Sequence, residues 1–281
     1  MTDTPPHSQP KPQSSGRSAP YRQLLRRMNG LGVPYGREDS FKLTRQQLIP
    51  DRVLIGIQRA SLPVPVMFAI ASELGMPAAC ESVLAPHLAQ ANVVLFGIED
   101  RAGGSVCKLY LEFWEQVRQE VRRTKARTPQ LLHLGVKWDS ARPDHHEVAR
   151  YICHPLLSAG DAMRRMARVY PPDAPLRSCD DALAIVRRGV ERNPAVSLLY
   201  LEASESGNPR CSFDINLYKT GLLIADAAPE LRQAADRFGI EAGAIEAQLK
   251  QLGTCRLGHL SGGTDRHGGE FLSVYGEISA L

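Results

Sequence analysis

Residues 92–113 read NVVLFGIEDRAGGSVCKLYLEF. Two β-rich runs, 92–100 and 106–113, flank the turn residues 101–105, which is a hairpin signature. In the return run Cys107, Leu109, Leu111 and Phe113 alternate with Lys108, Tyr110 and Glu112. Side chains two apart share one face of a strand, so this strand has a greasy face and a polar, tyrosine-bearing one.

The same pattern recurs outward from this hairpin. Residues 131–139 (LLHLGVKWD) and 147–153 (EVARYIC) bracket turn chemistry at 140–144. Residues 196–204 and 210–218 bracket 205–209, and 255–260 and 270–277 bracket a glycine-rich turn at 262–269. A weaker fifth hairpin joins 41–45 to 52–59. Between the hairpins the spacing predicts helices over 66–74, 80–91, 115–125, 159–169, 180–192, 222–238 and 242–252.

Two hairpins match residue for residue. Asp100-Arg101-x-Gly103-Gly104 leads at fixed spacing to Leu109-Tyr110, and Asp265-Arg266-x-Gly268-Gly269 leads likewise to Val274-Tyr275. A duplicated unit explains the agreement. The DRxGG segments read as turns, started by Asp and completed by glycines at positive φ, with an Arg whose fork suits carboxylates and phosphates. The return strands also share a tyrosine, at Tyr110, Tyr151, Tyr218 and Tyr275. Helices must cover the greasy faces. The number of hairpins favours closure, so the expected fold class is α/β: repeated helix–β-hairpin units in a closed ten-stranded antiparallel barrel with helices outside.

Composition sets the frame. Residues 1–20 hold five prolines and four serines and read as a disordered tail, leaving 21–281 as one barrel domain. A 43% apolar share suits a sizeable core, and no run reaches the roughly 18 apolar residues of a membrane helix. No secretory leader is legible, and six scattered cysteines without a CxxC pair read as reduced thiols, so a cytoplasmic location is expected. The net charge of +4 comes with basic runs on helix faces that lack interleaved aromatics, which argues against nucleic acid and for an anionic small molecule. There is no GxSxG, P-loop or GxGxxG after a strand. His145, His146 and His154, with Asp144 nearby, lack metal-ligand spacing, and no metal site is expected.

Five helix-separated antiparallel hairpins with Lys108-x-Tyr110 on a return strand resemble the ABBA aromatic prenyltransferases, the PT-barrel family. The resemblance covers residues 40–280 and implies a monomeric transferase that moves a prenyl group from an allylic diphosphate to an aromatic or peptide acceptor inside the barrel. It implies no obligate cofactor, magnesium at most accompanying the diphosphate. Lys108 and Tyr110 match the Lys-x-Tyr pattern fully. Tyr218 and Tyr275 match its tyrosine, with Asn216 and Ser273 standing where a cation is often found. On this resemblance Lys108, Arg59 and Lys137 would bind the donor diphosphate, with Asn216 beside them. Tyr110, Tyr218 and Tyr275 would shield the cation, and Glu112 or Glu202 would orient or deprotonate the acceptor. Further inward candidates are His133, Asp139, Tyr200, Asp214 and His259. Two other readings stay open: a barrel that binds a small metabolite without turnover, and a protein assembly factor acting through its helices.

Overall fold

The computed structural model describes residues 17–101, 103–125 and 127–281, the side chains of 143 and 144 excepted. Most of the Pro/Ser-rich tail, residues 1–16, lies outside them. Chain order is α1 (Ala19–Leu31), β1 (Gly36–Thr44), β2 (Gln47–Gln58), α2 (Val64–Glu73), α3 (Ala78–Leu84), β3 (Val93–Arg101), β4 (Gly104–Glu112), α4 (Trp114–Thr124), β5 (Gln130–Asp139), β6 (Arg142–His154) and α5 (Ala159–Val169). Then follow α6 (Ser178–Arg192), β7 (Leu199–Glu205), β8 (Cys211–Asn216), α7 (Ala228–Arg237), α8 (Ala242–Leu252), β9 (Leu257–Thr264), β10 (Glu270–Gly276) and the short β11 (Ser279–Ala280).

From β1 to β10 every strand pairs antiparallel with its sequence neighbour, and β1 pairs with β10 through Ser40 opposite Tyr275. Ten strands therefore close into a barrel, as the five hairpins predict. Beyond it, β11 adds Ser279 and Ala280 to the start of β1, opposite Arg37 and Gly36. Closure leaves the hairpin turns at one end of the barrel and the helical connections at the other.

The greasy faces carry the helices. Phe96, Leu109, Val136 and Trp138 pack with Leu24, Met67 and Leu84 in one outer core. Phe213, Ile215, Leu260 and Val274 pack with Met166, Ile185 and Leu231 in another. Locally the helices obey ordinary rules. Ser18 caps α1 by accepting from the Tyr21 N–H at 3.2 Å, and α1 buries Tyr21, Leu24 and Met28 on one stripe. A third, smaller cluster joins Val117 of α4 to Leu132, Cys153 and Leu201, so α4 packs at the helix-connection end of the barrel. No helix among the described residues is long and apolar enough to cross a membrane, and Cys80, Cys107, Cys153, Cys179 and Cys211 are free thiols.

Several boundaries differ from the sequence reading. The expected helix over 222–238 is a 3-10 turn at Ile224–Ala227 followed by α7, with Pro229 in the first turn of α7. The expected helix over 80–91 ends at Leu84 and continues as a 3-10 turn, Ala85–Gln90, because Pro86 cannot donate in a helix interior. Finally, Gly262 and Gly263 belong to β9 rather than to the turn. A Cβ at Gly262 would lie 2.4 Å from the Tyr170 hydroxyl, so the glycine is there for close packing.

Candidate active site

The polar strand faces line the lumen. On β4 Lys108, Tyr110 and Glu112 point inward, and on β5 His133 and Lys137 do. From β8, β9 and β10 come Asp214, His259 and Tyr275. The lumen holds two adjoining cavities that share Arg52, Lys108, Tyr110, Tyr151 and Tyr275 as a common belt. The cavity on the hairpin side is cationic, and the other is acidic and partly apolar.

The cationic side is organised by buried carboxylates. Glu99, 2% exposed, accepts from Arg52 Nε at 3.1 Å and Lys108 Nζ at 2.9 Å through the same oxygen, Oε2. Its other oxygen takes Arg101. Glu205 likewise holds Lys137 and Arg210. Two positive groups are left over. Arg52 Nη1 is buried without a hydrogen-bond partner. The Lys42 ammonium has no hydrogen bond or ion pair among the described residues and rests on the Phe271 ring, 4.4 Å from its centroid. Burial pushes Lys42 down to about 8. Burial also pushes Lys108 down to about 7, against the pull of Glu99 and with the Arg52 charge pressing the same way. Burial alone would raise the Glu99 carboxyl, yet Lys108, Arg52 and Lys42 together hold it well below the usual carboxylate range.

The tyrosines form the belt's aromatic part. Tyr110 meets Tyr151 edge-on with ring centroids 5.7 Å apart. Tyr275 accepts from Arg52 Nη2 at 3.0 Å while the same guanidinium lies 5.1 Å from its ring centroid. Tyr110 has its place because position 135, directly opposite on β5, is glycine.

The acidic side centres on Glu38, 5% exposed, which accepts from the Tyr218 hydroxyl at 3.1 Å. His259 Nδ1 lies 2.9 Å from Asp214 and its Nε2 lies 4.0 Å from Glu38. Burial would lower the His259 pKa, but Asp214 and Glu38 carry it up to about 9, so it is an imidazolium at neutral pH. Burial raises Glu38 to about 6, against the His259 charge. Glu112 faces this cavity too, 3.2 Å from His133 Nε2.

Of the residues expected from sequence, Lys108, Tyr110, Lys137, Glu112 and Tyr275 meet in the lumen. Tyr218 sits in a 3-10 turn, Tyr218–Thr220, just past β8, from which its hydroxyl reaches Glu38. Asn216 ends β8 and lies 3.5 Å from His259 Nε2, on the acidic side rather than beside the cations. Asp139 takes part in the hairpin turn, accepting from the Ala141 N–H and from Arg142. Arg59 is corrected: it opens the 3-10 turn Arg59–Ser61, donates to the Leu62 carbonyl at 2.6 Å, and lines neither cavity. Glu202 is corrected as well. On β7 it is Leu201 and Glu205 that line the lumen, so Tyr200 and Glu202 face outward, where Glu202 binds Arg165 of α5 at 2.8 Å and His154 at 3.0 Å. Sequence reasoning missed Glu38, Lys42, Arg52, Glu99 and Glu205 as site residues. The duplicated DRxGG turns do reach the site: Arg101 and Arg266 both line the cationic cavity, while Asp100 and Asp265 hold their turns together.

No protein-family model and no curated protein sequence matches the chain. Solved structures do. The 5-dimethylallyltryptophan synthase from Streptomyces coelicolor is 14% identical, with a TM-score of 0.60 over 92% of this chain and 90% of that one. The chain has the aromatic prenyltransferase fold. NotF prenyltransferase matches at a TM-score of 0.52 and 11% identity, over 88% of this chain and 81% of its own. The 6-dimethylallyltryptophan synthase from Micromonospora olivasterospora, solved with DMASPP and Trp, matches at 0.52 and 13%, over 85% and 81%. The closed ten-stranded PT barrel with helices outside is therefore common to all of them.

Proposed function

We propose that this PT barrel transfers a prenyl group from an allylic diphosphate to an aromatic acceptor. The observation that carries the reading is the Lys42 ammonium, with no ion pair among the described residues, and the unpartnered donor Arg52 Nη1, both beside a belt of three tyrosines. The donor's diphosphate lies on the cationic side against Lys42, Arg52 and Lys108, with Lys137 behind them. Cleavage of the allylic C–O bond leaves pyrophosphate there, stabilised by charge-assisted hydrogen bonds. The rings of Tyr110, Tyr151 and Tyr275 shield the allylic cation from water. The acceptor enters from the acidic side, where the Glu38 carboxylate takes a hydrogen bond from an acceptor N–H or O–H, with Glu112 on the facing wall. The acceptor's ring carbon bonds to the cation, and its proton passes to a lumenal base. No obligate metal is invoked, because the protein's own cations meet the leaving group. The similar fold solved with DMASPP and Trp supports the same class of donor and acceptor.

Calorimetric titration with dimethylallyl diphosphate tests the donor half. Micromolar binding that weakens at least tenfold in Lys108→Ala is the expected result, and absence of binding overturns the reading. A second reading has an observation of its own. Glu99 and Glu205 already neutralise much of the lumenal charge, which suits a barrel that holds a small anion without turnover. Mass spectrometry of donor incubated with indoles separates the two: a prenylated product favours transfer, and bound but unconsumed donor favours the binder.

A further inference from the structure

The donor site contains an acid where an anion is supposed to bind, and that arrangement has consequences of its own. Glu99 is 2% exposed and touches three of the cations lining the hairpin-side cavity. It stands opposite Arg52 on β2, and its β4 neighbour Lys108 reaches it diagonally. One oxygen, Oε2, is shared by Arg52 Nε and Lys108 Nζ, while Oε1 faces Arg101 near the rim. The carboxylate thus occupies the interior side of the cavity with the oxygen that holds the two belt cations, and is tethered outward by the other. Arg52 Nη1 and Lys42 remain unsatisfied beside it, so the cluster carries more positive charge than Glu99 cancels. A buried cationic cluster without a resident anion is costly, and a carboxylate on the neighbouring strand relieves it.

We infer that Glu99 is a displaceable internal counterion that sets an anion threshold for the site, so that only a ligand with the charge of a diphosphate takes Lys108 and Arg52 away from it. The inference rests on the donor-site reading above. A carboxylate or monophosphate offers too little charge to break two charge-assisted bonds in a low-dielectric lumen. A diphosphate has enough oxygens to satisfy Lys108, Arg52 Nε, Arg52 Nη1 and Lys42 together, and Glu99 keeps Arg101 as its remaining partner. Glu99 is therefore a specificity residue that works by competing with the ligand.

The test is calorimetry with inorganic pyrophosphate and inorganic phosphate on the wild-type chain, Glu99→Gln and Glu99→Asp. Wild type is expected to bind pyrophosphate at least a hundredfold tighter than phosphate. Glu99→Gln, which removes the competing charge, should bind pyrophosphate at least tenfold tighter than wild type and should gain measurable phosphate binding. Glu99→Asp keeps the charge and the fold but shortens the reach, so it should fall between the two. A purely structural role for Glu99 predicts weaker binding in both variants. Circular dichroism confirms which variants are folded, and Glu99→Asp keeps the test decisive if Glu99→Gln unfolds. Unchanged or weakened pyrophosphate affinity in the folded variants, with wild type binding normally, overturns the inference and leaves the donor site standing. Pyrophosphate binding to none of the three overturns both.

Discussion

Tyr110 and Gly135 face each other across the β4–β5 ladder, and the tyrosine ring fills the volume that a side chain at 135 would need: a Cβ there would lie 1.9 Å from Tyr110 Cδ1. The shielding ring is thus set by what its neighbour lacks.

Gly135→Ala should therefore disable the site without touching a polar group. Overpacking of this kind costs roughly 1–3 kcal/mol, and it would turn the Tyr110 ring away from Tyr151. Thermal unfolding should show a lowered midpoint, and the double variant Gly135→Ala/Tyr110→Ala should recover stability while remaining inactive. Full stability of Gly135→Ala alone would mean that the ring has room elsewhere.

Lys42 separates stability from ligand binding. Its ammonium is buried against Phe271 with no ion pair among the described residues. Lys42→Met keeps the stem's packing and removes a desolvated charge, so the fold should gain about 1 kcal/mol. Pyrophosphate affinity should drop about tenfold at the same time, through loss of one charge-assisted contact. A loss of both together would place Lys42 among the structural residues.

The imidazolium of His259 makes stability depend on alkaline pH. Its folded pKa of about 9 lies above the ordinary histidine value of 6.5, because Asp214 and Glu38 overcome the effect of burial. A group whose pKa is raised by folding contributes its stabilisation below the unfolded pKa and loses it as pH rises through the folded one. The His259 contribution, read as the difference in denaturant midpoint between wild type and His259→Gln, should thus slope downward from pH 6.5 to 9, while Lys108 and Lys42, which burial lowers, add a slope of the opposite sign common to both proteins. The charged groups facing His259 are Asp214, Glu38 and Glu112, so the same series in Asp214→Asn should shrink the slope as well.

Glu202 supplies a control. It joins Arg165 of α5, His154 and the Tyr200 hydroxyl on the outside of β7. Glu202→Gln should lower the thermal midpoint by a few degrees and leave pyrophosphate binding within twofold of wild type. A large loss of binding would return Glu202 to the site.

The barrel was legible in the sequence because its signal is local. Hairpin punctuation and strand alternation each lie within a few tens of residues, the DRxGG turn repeats itself at Asp100 and Asp265, and Lys108-x-Tyr110 reads directly as an inward pair. What failed was phase and partnership. On β7, Tyr200, Leu201 and Ala203 are all buried, since helices cover one face and α4 closes on the other. Alternation there does not tell inside from outside, so Glu202 reads as inward although it faces Arg165 of α5. Arg59 looked like a continuation of β2, whereas the strand stops at Gln58. Glu38 and Lys42 lie on β1, whose hairpin signal is the weakest, and Arg52 reads only as the start of a strand. The Glu99 cluster depends on register among β2, β3 and β4, which no single strand encodes.

The seam between β1 and β10 has a kinetic consequence. Ser40 and Tyr275 meet from opposite regions of the chain, so ring closure is the least local pairing among the ten barrel strands and the slowest of them to find. Until it forms, the sheet has two raw borders open to pairing with another chain, and Lys42, at the seam itself, is still hydrated. Stripping water from the lumenal cations is thereby deferred to the final joining event, which makes their charge part of the folding barrier. Multivalent anions in a refolding buffer should speed that last step, acting as a template around which the cylinder shuts.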